Sequence, residues 1–417
     1  MSACHAIYLP PQKTSLLTAS CTKPRLSRLF LSASIFAILT MLKWSHITFA
    51  TKFAFDPSSQ MLPHYWHGHE MLYGYALAVI AGFLLTAVKT WTNQPMPYGY
   101  KLLAIFTPWA VARLIFLVNG INLNTWTWLA MASDLLFWLL TAFFIIKPIY
   151  AVRQKRQIGI VAKLLLLMIG QVWFYVALWQ HALHGMQMSL LFGFYLIIGV
   201  VLTIGRRVMP MFIERGIAEK GKVEQTVKNS DLLDRLSLIS FFVFFLTDIF
   251  LSQYDWSKYL LTLSALIVAM TNLIRLKNWH LAGIWSRPLL WSLWLGFVGM
   301  AVGFVLYALV PWGVISHNLA MHAVAIAGIG LMTLAMMARV SLGHTGRSVY
   351  TPPKTVGLIF GMVLAAWLAR VFMGWLLPQS YFMSLGIAQG FWTIAFVLFV
   401  FSYAKILLSE RQDKLFG

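Results

Sequence analysis

The stretch WHGHEMLYGYALAVIAGFLLTAV at positions 66–88 carries no charge after Glu70. About 20 apolar residues at 1.5 Å rise cross a bilayer core, so it reads as a membrane helix whose polar head, Trp66 to Glu70, meets one membrane face. Apolar segments of the same kind surround it, near 29–50, 101–118, 126–146, 160–180 and 188–205, then 236–251, 257–275, 289–310, 317–340, 354–376 and 382–408. The expectation is an all-α polytopic membrane protein of twelve transmembrane helices over 29–408. An N-terminal tail 1–28, a C-terminal tail 409–417 and a mixed-charge loop or short helix over 206–235 complete it. The chain is 60% hydrophobic and 11% charged, against roughly 45–50% and 25% in soluble domains, which excludes a soluble multidomain protein.

The formal net charge of +20 would suggest nucleic acid in a soluble chain. Here the basic residues gather in alternate loops: only Lys52 and Lys258 fall on the opposite side, and Lys43, Arg113 and Arg370 lie within spans. The positive-inside rule then puts both termini in the cytoplasm and explains the charge without nucleic acid. Both cysteines, Cys4 and Cys21, lie in the tail, so there is no disulfide framework and no thiolate metal site inside the membrane. The tail lacks the apolar core of a signal peptide.

In this orientation His5, His280 and His344 are cytoplasmic, whereas His46, His64, His67, His69, His181, His184, His317 and His322 fall at outer helix ends. Imidazole suits a headgroup interface as an amphipathic ring; it is also the usual ligand of haem iron and copper. His67 and His69 project about 200° apart and cannot share one metal. Glu70 shares a face with His67, so it either orients that ring or receives an arginine. The run His181-Ala-Leu-His184-Gly-Met186-Gln-Met188 has a composition that suits copper, unless its methionines are packing filler. Arg113 and Arg370 lie at the depth of the histidines; they suit haem propionates or pair with Asp134 and Asp248. Arg206, Arg207 and Arg339 sit at cytoplasmic helix ends, where lipid phosphate is the ordinary partner, and His344 there is too far away to be a co-ligand.

Helices 2, 6 and 10 each open with outer-face histidine and close with a cytoplasmic base. That layout resembles the three arcs of four helices in haem-copper oxidases, although the His-Pro-Glu-x-Tyr motif and paired His-His of those enzymes are missing. Three local motifs point closer. Trp66-His-Gly-His-Glu-Met-Leu-Tyr-Gly-Tyr with Ala81-Gly-Phe-Leu-Leu-Thr-Ala-Val, Gly205-Arg-Arg-Val-Met-Pro-Met-Phe212, and His322 through Gly328-Ile-Gly to Met337-Ala-Arg-Val-Ser-Leu-Gly-His-Thr-Gly-Arg347 resemble the signatures of the NnrS family.

The resemblance covers the chain after its tail and implies a bacterial inner-membrane protein containing haem and copper, associated with nitric oxide and nitrosative stress. His67, His69, Glu70, Arg206, Arg207, His322, Arg339 and His344 match motif positions; His64 and His317 do not. The segment Lys89-Thr-Trp-Thr-Asn-Gln departs from the family's usual Pro-Asn-Trp-Thr-Gly. Since a haem needs axial donors from opposite sides, the expected b-type haem ligands are His322 with His69 or, less favoured, His67; His181 and His184 are the reserve. Nitric oxide is then substrate, ligand or inducing signal. The rival classes are a secondary transporter without a chromophore and a regulatory membrane partner without turnover.

Overall fold

The computed structural model describes residues 27–50, 62–119, 124–218 and 226–412. The expectations for Cys4, Cys21 and most of the N-terminal tail, for Lys52, and for the last five residues lie outside the described residues.

Twelve long helical segments follow one another among the described residues: α1 (Ser27–Phe49), α2 (Pro63–Thr92), α3 (Tyr100–Asn119), α4 (Thr125–Ala151), α5 (Ile158–Trp179) and α6 (Leu183–Ile217). Then come α7 (Asp231–Leu246, prolonged by Thr247–Leu251), α8 (Ser257–Trp279), α9 (Pro288–Leu309), α10 (His317–His344), α11 (Val356–Leu376) and α12 (Tyr381–Leu408). Eleven are long and apolar enough to cross a membrane. The remaining one, α7, carries Asp231, Asp234, Arg235 and Asp248. The chain is an all-α polytopic membrane protein.

α6 departs from the expected boundary. It does not end at 205 but runs to Ile217, so much of the expected 206–235 loop is helix. The cause is packing: Met209 and Ile213 are buried beyond Arg206 and Arg207, so the apolar face outlasts the uncharged run that marked the span.

α2, α6 and α10 form the centre. Their apolar windows are 78%, 78% and 72% buried, and no other exceeds 61%. They run parallel: Gly68 faces Leu190, Gly193 faces Tyr73, and the Tyr75 and Thr333 hydroxyls hydrogen-bond at 2.8 Å. The other helices surround them, and α1 packs on α12 to close the periphery.

Four helices contain a π-helical turn: Glu70–Ala76 in α2, Thr247–Leu251 in α7, Val324–Leu331 in α10 and Ala369–Met373 in α11. Such turns are rare and gather at functional sites. Here they hold Glu70, Asp248 and Arg370, and the α10 turn begins two residues after His322.

Candidate functional site

Two buried guanidiniums organise the end of the bundle where α2, α6 and α10 begin. On the α2–α5 side, Arg113 of α3 donates through Nη1 to both oxygens of Glu70 at 2.9 Å and through Nη2 to Asp134 of α4. Glu70 also faces His69 Nδ1 at 2.8 Å. Tyr175 of α5 donates to Asp134 at 2.6 Å, and its oxygen lies 3.1 Å from His69 Nε2. All five side chains are buried. Gly74 makes the crossing possible, since a Cβ there would meet Arg113 Nη1 at 2.7 Å.

Glu70 therefore engages His69 rather than His67. The backbone at His69 and Glu70 is ordinary α-helix, so it is the Glu70 side chain, drawn to Arg113, that meets its sequence neighbour. With both nitrogens engaged and Phe174 stacked at 4.8 Å, His69 is a member of a closed polar network. Arg113 shows the expected pairing with Asp134, and only its Nε lacks a partner.

The second guanidinium is differently placed. Arg370, in the π turn of α11, donates through Nη2 to Asn318 Oδ1 at 2.5 Å and to the Tyr381 hydroxyl at 3.2 Å. Its Nε and Nη1 are buried without a partner among the described residues. Asp248, the acid expected beside it, lies elsewhere: it accepts from Tyr195 of α6, which is 3.2 Å from Tyr307 of α9, and it meets His317 Nε2 at 3.0 Å.

Beside Arg370 stand two imidazoles, close enough for its charge to act on both: His67 of α2 and His322 of α10. His322 Nδ1 donates to the Asn318 carbonyl at 2.7 Å, so in the neutral ring Nε2 carries no proton and can ligate. A second donor bond of this kind is the usual support of a metal-bound histidine. His67 stacks on Trp44 at 4.5 Å, and its buried Nδ1 has no partner among the described residues. Both side chains are half-buried.

The remaining candidates are not drawn to Arg370. His181 and His184 are exposed at the start of α6, while Met186 is fully buried on another face and Met188 is half-buried. No group of three or more His, Cys, Asp or Glu able to hold a metal occurs among the described residues. Past the α6 span, Arg206 pairs with Asp234 at 2.9 Å and Arg207 bonds Gln157 at 2.8 Å. Arg339 lies 4.1 Å above the Phe212 ring, and His344 closes α10 at the end opposite His322.

The family model described as NnrS protein matches residues 28–411. The chain belongs to the NnrS family. No curated protein matches it. In this NnrS family member the motif positions divide among three places: His69 and Glu70 in the Arg113 network, His67 and His322 near Arg370, and Arg206, Arg207, Arg339 and His344 at the far end. Sequence reading passed over Trp44, Tyr175, Asn318 and Tyr381, because each reads as ordinary span or helix-end residue until the fold supplies its neighbour.

Proposed function

We propose that this NnrS family member holds b-type haem between His67 and His322, in the outer half of a bacterial inner membrane, and acts in nitric oxide metabolism or the nitrosative stress response. The observation that carries the reading is a juxtaposition: two half-buried imidazoles from different central helices, within reach of a buried guanidinium that has no carboxylate partner among the described residues. Haem iron takes axial imidazoles, and its propionates are the anions that Arg370, steadied by Asn318 and Tyr381, is built to receive. When bound, the haem supplies a redox centre and an iron that takes up diatomic ligands. The protein's own part is to fix the His322 tautomer through Asn318, to clamp His67 against Trp44, and to neutralise the propionates.

Copper belongs to the proposal by family resemblance. The described donors suit it less well than haem, since His181 and His184 stand without a third ligand, and no step is assigned to it. Both termini are assigned to the cytoplasm from the placement of the basic residues.

The test is the absorption spectrum of purified protein, oxidised and dithionite-reduced. A low-spin six-coordinate haem spectrum that shifts on adding nitric oxide is expected. A protein without a Soret band that instead moves a solute across vesicles would replace this reading with a transporter.

A further inference from the structure

The three central helices also border a partly open apolar space away from His67 and His322. A cavity of about 60 Å³ lies between them, with Val79 and Ile80 of α2, Val200 and Ile204 of α6, and Met332 and Thr333 of α10 on its walls. Val79 is twelve residues beyond His67 and Met332 ten beyond His322, which at 1.5 Å per residue places the cavity roughly 15–18 Å along the bundle from the two imidazoles. Its lining presents no polar surface. The one hydroxyl among its walls, Thr333 Oγ1, is already bonded to Ile329 O at 2.7 Å and to Tyr75. A water there would find none of the two to four polar partners it needs, and apolar cavities of this kind stay dry.

We propose that this cavity is a docking site for a neutral apolar diatomic gas, nitric oxide in the first place, on the axis that also carries His67 and His322. Size selects the occupant. The space is too small for a haem, and its lack of a hydrogen-bonding group disfavours anions such as nitrite. A neutral diatomic is small, apolar and soluble in the bilayer around it. Phe83, Val201, Val208 and Met336, all half-buried, form the rim by which it enters. Such a space would hold gas within the same three helices that carry His67 and His322, without any group that reacts with it. The choice of nitric oxide rests on the proposed function; the cavity's affinity for apolar gas does not.

The test uses xenon, an apolar probe that needs no haem. Purified full-length protein in detergent, titrated with xenon and followed by ¹²⁹Xe NMR, is expected to show a saturable shift that is lost in Val200→Phe, which fills the space from α6. Ile80→Phe, which fills it from α2, gives the same readout should the first variant fail to fold. Wild-type protein with no saturable xenon shift, or a shift unchanged in the folded filled variant, overturns the cavity. So does a detergent or acyl chain found in it. If xenon binds but the protein has no Soret band, the cavity stands and the haem reading falls.

Discussion

Arg113 and Arg370 are equally removed from solvent at the same end of the bundle, yet their surroundings are opposite. Arg113 meets two carboxylates and a supporting histidine and tyrosine; Arg370 meets an amide and a phenol and leaves two nitrogens bare. A buried charge is costly unless paired. The α2–α5 network thus balances its guanidinium with two carboxylates, although Arg113 Nε and Asp134 Oδ1 have no partner among the described residues, whereas the α10–α12 cluster offers Arg370 no carboxylate among them. On the proposed function the first guanidinium is structural and the second binds propionate, although sequence spacing presents the two alike.

The largest effect should fall on the closed side. Arg113→Leu leaves Glu70 and Asp134 buried and uncompensated, so denaturation in detergent should show a loss of about 3–5 kcal/mol. A loss no larger than that of an exposed-lysine control would dissolve the contrast. Arg370→Leu should behave in the opposite way, with the haem-free protein no less stable than wild type but haem content, read by pyridine haemochrome assay, several-fold lower. If Arg370→Leu instead unfolds the haem-free protein while leaving haem binding intact, Arg370 is structural after all.

Smaller changes sharpen the same division. Tyr175→Phe removes a donor to Asp134 and should cost about 1–3 kcal/mol of stability with haem content unchanged. Asn318→Ala frees Arg370 but keeps the backbone carbonyl that holds His322, so haem content should fall less than in Arg370→Leu while the ligation spectrum stays the same. Equal losses in the two variants would show that Asn318 does more than steady the guanidinium.

Much of this architecture is legible in the chain because bilayer thickness makes an uncharged run of about 20 residues nearly synonymous with a helix. The end of α6 is not, since Arg206 and Arg207 look like the start of a loop while Met209 and Ile213 go on packing. The histidines could be sorted to one end, but their roles could not. His69 and Glu70 are neighbours in sequence, and helical spacing pairs Glu70 with His67 instead; Arg113, Asp134 and Tyr175, from three other helices, are what gather His69 and Glu70 into one network. Arg370 seemed to have Asp248 as a partner because both are charges within spans. Nothing in one dimension shows that Tyr195 and His317 claim that acid first.

The central claim, that His67 and His322 ligate the haem and His69 does not, is tested most directly by comparing His67→Ala, His69→Ala and His322→Ala, each purified and recorded oxidised and reduced. The account predicts that His67→Ala and His322→Ala each lose the six-coordinate low-spin spectrum, giving five-coordinate iron or no haem. His69→Ala should keep that spectrum in whatever fraction folds. A His69→Ala protein that folds without six-coordinate haem, beside a His67→Ala protein that retains it, would contradict the account.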